Sequence, residues 1–291
     1  MRTQRLAVLT LVGGMGLLSA ATPLRVATFR ADVTPPLGSA LCQGFVKPAA
    51  YIHDALTARG IVLLSSQAPI VLCAVDWVGI GDRSHDAWKE ALARAAGTTP
   101  DRVAVHTLHL HDAPGADLRA DDLVAGYGLP NSLDDQAFVR TAMERTAAAV
   151  HASLSSAQVF THAGFGAGRV ERVASNRRVM GPDGKVKAVR WSATLDPAVR
   201  AEPEGTIDPY VRLLSLWNGQ KPLVSITYYA THPQSYYGKG EVSADFPGLA
   251  RALREGVLPE VAHIHFNGAS GNVTAGKYND GAHENRPHLA G

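Results

Sequence analysis

The segment that most constrains how this chain can fold is an apolar strand that runs into polar chemistry. Val103-Ala104-Val105 leads through His106 to His109-Leu110-His111-Asp112, and Pro114-Gly115 then forces a turn. Read as one strand from 103 to 111, the segment puts His109 and His111 on one face and Leu110 on the other, because successive strand side chains alternate. Two imidazoles on one face, beside a carboxylate in a turn, make the seed of a metal site. A third ligand must then come from elsewhere in the chain.

The flanking pattern fixes the fold class. Leu24 to Ala31 reads as a first strand, stopped by Asp32-Val33-Thr34-Pro35-Pro36, since a double proline cannot continue a ladder. Ala58 to Leu64 and Ile70 to Val75 read as a hairpin about Ser65-Ser66-Gln67-Ala68, with Asp76 and Trp77 at the end of the second strand. Ser84 to Ala96 reads as a helix capped by Ser84 and closed by Gly97. After strand 103–111, the stretch Ala116 to Ser132 reads as an acidic loop, Asp134 to Ser153 as a second helix and Val159 to Gly168 as a strand. Gly181-Pro182-Asp183-Gly184 is a turn. Val211 to Leu216 and Leu223 to Tyr229 form a hairpin about Asn218-Gly219, Ser243 to Glu255 a helix and Ala262 to Phe266 a short strand. The order predicts an α/β fold, a mixed β-sheet flanked by helices, with its site at the carboxyl ends of the strands. The tail from Ala275 to Gly291 has little apolar pattern and reads as lacking a final packed element.

Composition narrows the function classes. A formal net charge of +2 over 291 residues, with no basic run interleaved with aromatics, excludes nucleic acid as a partner. Residues 1–21 carry the order of a secretory signal peptide: charged Arg2 and Arg5, an apolar run from Leu6 to Leu18, then Ser19-Ala20-Ala21. The run is too short and glycine-rich for a comfortable membrane span of about 20 residues. The expectation is a secreted or periplasmic protein with one domain over residues 22–291. Export permits a disulfide between Cys42 and Cys73, but both sit in apolar surroundings and two buried thiols fit the sequence as well.

His232 supplies the third imidazole, because Leu223 to Tyr229 ends at Ala230-Thr231-His232-Pro233 as the earlier strand ends at His109. His109, His111 and His232, with Asp112 as a carboxylate, suit Zn²⁺, which keeps one position open for water. The competing reading is that each is a hydrogen-bonded strand-end residue, since the chain uses twelve histidines freely. Gly268-Ala269-Ser270-Gly271-Asn272 matches a nucleophile elbow except at its last glycine, which leaves metal-free serine chemistry at Ser270 as an alternative.

Six motifs occur in the order seen in the neutral/alkaline non-lysosomal ceramidase family, which this chain resembles over nearly all of its length after residue 21. They are Asp32-Val33-Thr34-Pro35-Pro36, the strand ending at Asp76, His109-Leu110-His111-Asp112-Ala113-Pro114-Gly115, Asn176-Arg177, Ala230-Thr231-His232 and Gly268-Ala269-Ser270-Gly271-Asn272-Val273-Thr274. The resemblance implies that His109 and His232 are zinc ligands, that His111 lies near the zinc-bound water, and that Arg177 positions substrate or an oxyanion. Thr274 stands where the family has a serine near the site. It implies hydrolysis of an N-acyl amide of a ceramide-like lipid through a metal-bound hydroxide, with contact at a membrane surface. The family motif reads His-Thr-His-Ser-Gly-Pro-Gly, so Leu110, Asp112 and Ala113 mark a divergent branch. The family's remaining zinc ligands, a glutamate and a tyrosine, come from beyond the matched region. The expectation is therefore a fragment of a longer protein, or a site completed by Asp112 or a tail residue such as Glu284. The alternative function is an exported binding domain on the same scaffold without catalysis.

Overall fold

The computed structural model describes residues 22–130 and 133–291; the expected signal peptide over residues 1–21 lies outside the described residues. Two sheets carry the architecture. The first has five strands in the order Val103–Thr107, Ile70–Val75, Thr57–Leu64, Arg25–Asp32, Gln158–Val159. The second has four, in the order Ala262–Asn267, Lys221–Tyr229, Tyr210–Asn218, His162–Arg169. Each is mixed: Ile70–Val75 runs parallel to Val103–Thr107, and Lys221–Tyr229 parallel to Ala262–Asn267, while the remaining pairs are antiparallel. Helices Asp82–Ala96 and Gln136–Ser153 cover the first sheet, burying Trp88, Leu92, Phe138 and Val139. The α/β class and the mixed sheet flanked by helices are as the sequence predicts.

Parallel pairing at the inner edge of each sheet turns four carboxyl ends toward one place. The sheets are joined there by side chains: His106 Nε2 accepts from the backbone N–H of Asn267 at 3.0 Å, and Asn267 Nδ2 donates to the carbonyl of Leu108 at 3.2 Å. Gly268 follows directly, and a Cβ at that position would come within 2.9 Å of Ala230, so only glycine lets the two strand ends approach this closely. Beneath the junction, Arg251 donates to both oxygens of Asp76 at 2.6 Å each, and Thr57 donates to the same carboxylate from its backbone N–H and hydroxyl. Asp76 is wholly buried, so this fork satisfies a charge that would otherwise be prohibitive.

Several expectations meet the structure closely, and several do not. The hairpins about residues 65–68 and 218–219 form, the latter with Gly219 at φ 57°, and Gly97 closes the first helix at φ 67°. Ser84 does not cap that helix; Gly81 does, and the Ser84 hydroxyl instead accepts from the backbone of Leu118. The presumed acidic loop contains the helix Leu118–Ala125, capped by Asp117, whose carboxylate accepts from Ala120 N–H. The tail ends in a packed helix, Asn285–Ala290, with Leu289 and Arg286 buried. Cys42 and Cys73 are both free thiols. Among the described residues no helix is long and apolar enough to cross a membrane.

Candidate metal centre

The strand from 103 stops at Thr107, four residues short of the expected end. Leu108 and Leu110 are both completely buried, and between them His109 adopts a left-handed conformation at φ 64°. Strand alternation therefore does not explain how His109 and His111 come together. A left-handed residue, rare for side chains other than Asn, Asp and His, swings the backbone so that both imidazoles reach the same space. Their ring centroids are 4.8 Å apart at 85°.

His232 comes in from the second sheet, three residues beyond Tyr229. Its ring lies 4.6 Å from that of His109 and 5.1 Å from that of His111. One nitrogen from each of the three lies within 4.8 Å of the other two, an arrangement that can hold a metal ion. All four parallel carboxyl ends contribute. The strand ending at Val75 leads to the Val78 carbonyl, which accepts from His109 Nδ1 at 2.7 Å. The strand ending at Asn267 leads to the Ser270 carbonyl, which accepts from His232 Nδ1 at 3.4 Å. A carbonyl can only accept, so both rings carry a proton on Nδ1, which leaves Nε2 as the nitrogen each would offer a metal.

His111 is held differently. Its Nδ1 is 3.4 Å from the Cys42 sulfur, and its Nε2 is 3.1 Å from His232 Nε2. Burial, with Asp112 adding to it, pushes the Cys42 thiol up to about 11, so the sulfur is protonated and donates to Nδ1. The His111 proton then sits on Nε2 and points into the centre. Burial first, then the neighbouring imidazoles and Arg177, bring His111 down to about 3; burial, His109 and Arg177 bring His232 down to about 4. Both are neutral at physiological pH, the state in which imidazole binds metal.

Arg177 lies beside the cluster. Its Nη2 donates to Gln234 Oε1 at 3.4 Å, its Nε is buried without a partner, and burial works against its charge. The structure does not bring Asp112 to the histidines. Its carboxylate faces away, accepting from Gly238 N–H at 2.8 Å and lying 3.8 Å from Arg286, and burial raises it to about 7. The Thr274 hydroxyl donates to the Trp191 carbonyl at 3.1 Å, and its backbone bridges to that of His232. Its side chain is thus committed to the scaffold. Ser270 presents its carbonyl to His232, while its hydroxyl accepts from Asn267, which gives a serine nucleophile no base. Glu284 is exposed at the start of the last helix. Sequence reasoning missed Cys42, Val78 and Tyr237, whose ring lies edge-on to His111 at 5.5 Å. Tyr237 follows His232 by only five residues, and that proximity was the available signal.

No family model matches the chain, and no curated protein matches it. Solved structures do. A ceramidase complexed with C2 superposes at a TM-score of 0.63 and the neutral ceramidase from Pseudomonas aeruginosa at 0.62, each with 18% identity over 87% of this chain. In fold, the chain is ceramidase-like. It spans 39% of the length of each of these ceramidases. The three histidines sit just beyond strand ends of this ceramidase-like fold.

Proposed function

We propose that this chain carries the zinc-binding region of an exported amidohydrolase that cleaves the N-acyl amide of a ceramide-like lipid. The observation that supports this reading is the pair of Nε2 lone pairs, on His109 and His232, directed to one point by carbonyls behind each ring. Such a hydrogen bond to the far nitrogen is the usual support of a metal-ligating histidine. The imidazole pair of His109 and His232 fits zinc, which takes histidine nitrogen at about 2.0–2.1 Å, and His111 Nε2 stands beside it, 3.1 Å from His232 Nε2. Zinc bound there supplies a Lewis acid for the amide carbonyl and lowers the pKa of water to about 7.

His109 and His232 hold the ion. His111, with its proton on Nε2, donates a hydrogen bond to the oxygen that gains charge as the amide is attacked. Arg177 sits next to it with unspent donors, and a bound oxyanion would offset the cost of burying its guanidinium. The apolar acyl chain suits an enzyme that meets its substrate at a membrane surface, and the N-terminal leader suits its export.

Zinc analysis of the purified chain tests the metal, and turnover of a fluorogenic N-acyl sphingosine by the natural full-length protein tests the chemistry. His109→Ala and His232→Ala each lose the inner zinc. His111→Ala keeps it and loses turnover by about 10²–10⁴-fold, the usual scale of a proton donor. Zinc held without turnover of any N-acyl amide would favour a binding domain instead, and a folded protein that takes up no metal would end the proposal.

A further inference from the structure

A second constellation of donors lies away from these histidines. The two-residue strands Tyr51–Ile52 and Glu241–Val242 pair in parallel, which sets His53, the residue after the first, against Glu241. The turn before the last helix brings His283 to the same carboxylate. His53 Nδ1 is 3.3 Å and His283 Nε2 is 3.6 Å from Glu241 Oε1. One donor atom from each of the three residues lies within 4.8 Å of the other two. Ligands about 2.0–2.1 Å from one tetrahedral ion are about 3.3–3.4 Å apart. Both spacings to the carboxylate are therefore close to what an ion would impose.

The surroundings are those of an oriented ligand. The Glu241 side chain is 1% exposed, whereas those of His53 and His283 are 34% and 47% exposed, so a buried anion is roofed by two accessible imidazoles. Tyr51 donates its hydroxyl to Oε1 at 2.6 Å, and Arg286 donates to Oε2 at 3.3 Å. Each oxygen is thus fixed from the protein side, and Oε1 keeps a second lone pair facing the rings. The rings stand at 85° with centroids 5.6 Å apart, so they do not stack and each presents an edge to the carboxylate. Behind His53, Nε2 is 4.0 Å from Asp54, whose other oxygen accepts from Ser243 at 2.6 Å. At 4.0 Å that carboxylate is a charged neighbour of the ring and not a hydrogen-bond partner. The ion pair with Arg286 explains Oε2 alone. Tyr236, edge-on to His283 at 5.0 Å, packs one ring, and both imidazoles face Oε1 at the spacing that an ion would also impose.

We propose that His53, Glu241 and His283 form a second site for a zinc-class divalent ion. Two imidazoles and one carboxylate are too rich in nitrogen for calcium or magnesium, which take oxygen ligands. Water completes the coordination on the exposed side. The ion ties together three segments far apart in the chain, at residues 51–54, 241–243 and 283–286. It fastens the tail helix to the ribbon, and this role is independent of any reading of the three inner histidines.

Equilibrium dialysis of the whole chain against zinc chloride, with the melting temperature followed in parallel, tests it. The wild-type chain takes up an ion that the double variant H53A/H283A does not, and E241Q, which keeps the carboxylate's shape, weakens that uptake by at least about tenfold. Zinc raises the melting temperature of a chain in which H109A removes the inner site, and does not do so once H53A/H283A is added. If H53A/H283A binds the same number of ions as the wild type with unchanged affinities, the second site does not exist. If the wild type binds one ion and H53A/H283A binds none, the inner site is the one refuted and the outer site stands.

Discussion

His109, His111 and His232 stand on the carboxyl ends of two packed sheets, while His53 and His283 stand on a two-residue ribbon and a turn. Both groups offer imidazole nitrogens within 4.8 Å of one another, yet their supports differ in kind. Two of the inner rings are held by carbonyls just beyond strand ends and the third by a thiol, with no carboxylate among the three donors. The outer rings are half exposed and gather around one buried anion. The difference teaches that convergence can be obtained in two ways. In the first, the scaffold positions the donors before any ligand arrives; in the second, a fixed charge collects side chains whose own backbones are lightly held.

The largest expected effect comes from breaking the support of the inner group. Arg251→Met leaves the Asp76 carboxylate buried without its partner and should cost about 3–5 kcal/mol in denaturant unfolding. It should disturb the inner strand ends while the outer ribbon, which shares none of these contacts, keeps its metal. Second in size is the loss of inner zinc affinity in His109→Ala, at least about 100-fold by competition with a chelator, against no change at the outer group. A smaller change is expected in Cys42→Ala, which removes the thiol behind His111. Inner zinc should be retained, and turnover of the full-length protein should fall by about tenfold; loss of zinc would make His111 a ligand and not a donor.

Acid separates the regions as well. Burial, together with Arg251, brings His265 down to about 3, and burial lowers His106. For groups whose folded pKa lies below the unfolded value of about 6.5, the unfolded chain binds more protons between the two values. The contribution of His265 is complete above about pH 6.5 and is lost as pH falls toward 3, and that of His106 is lost in the same direction. Thermal unfolding at a series of pH values should show this loss, and His265→Gln should flatten it. A profile unchanged by His265→Gln would mean that this layer carries no such strain.

The inner group could be read in the sequence because each histidine follows an apolar strand, and strands announce themselves through alternation and β-branched residues. The reason given for its convergence could not be read. Leu108-His109-Leu110-His111 satisfies strand alternation, and only the structure shows that His109 breaks it by turning left-handed. The helix Leu118–Ala125 was missed because eight residues with two adjacent acids and an arginine carry a short apolar stripe, although Asp117 was a usable cap signal. The outer group had no signal at all. His53, Glu241 and His283 belong to no shared spacing, and their meeting depends on a parallel pair of two-residue strands and on a tail helix with only Leu289 and Arg286 as buried anchors.

The left-handed backbone of His109 limits what evolution or an engineer can place there. A β-branched or bulky residue would meet a steric penalty of about 1–3 kcal/mol before any question of metal arises. Glycine would relieve the strain and offer no donor atom. Asparagine and aspartate tolerate the conformation, and of these only aspartate brings an anionic oxygen. Were an ion held here, its exchange for one that prefers oxygen would have a single inexpensive substitution at this position. The backbone's handedness, and not only a metal's preference, would set the short list of ions that such a pocket could take.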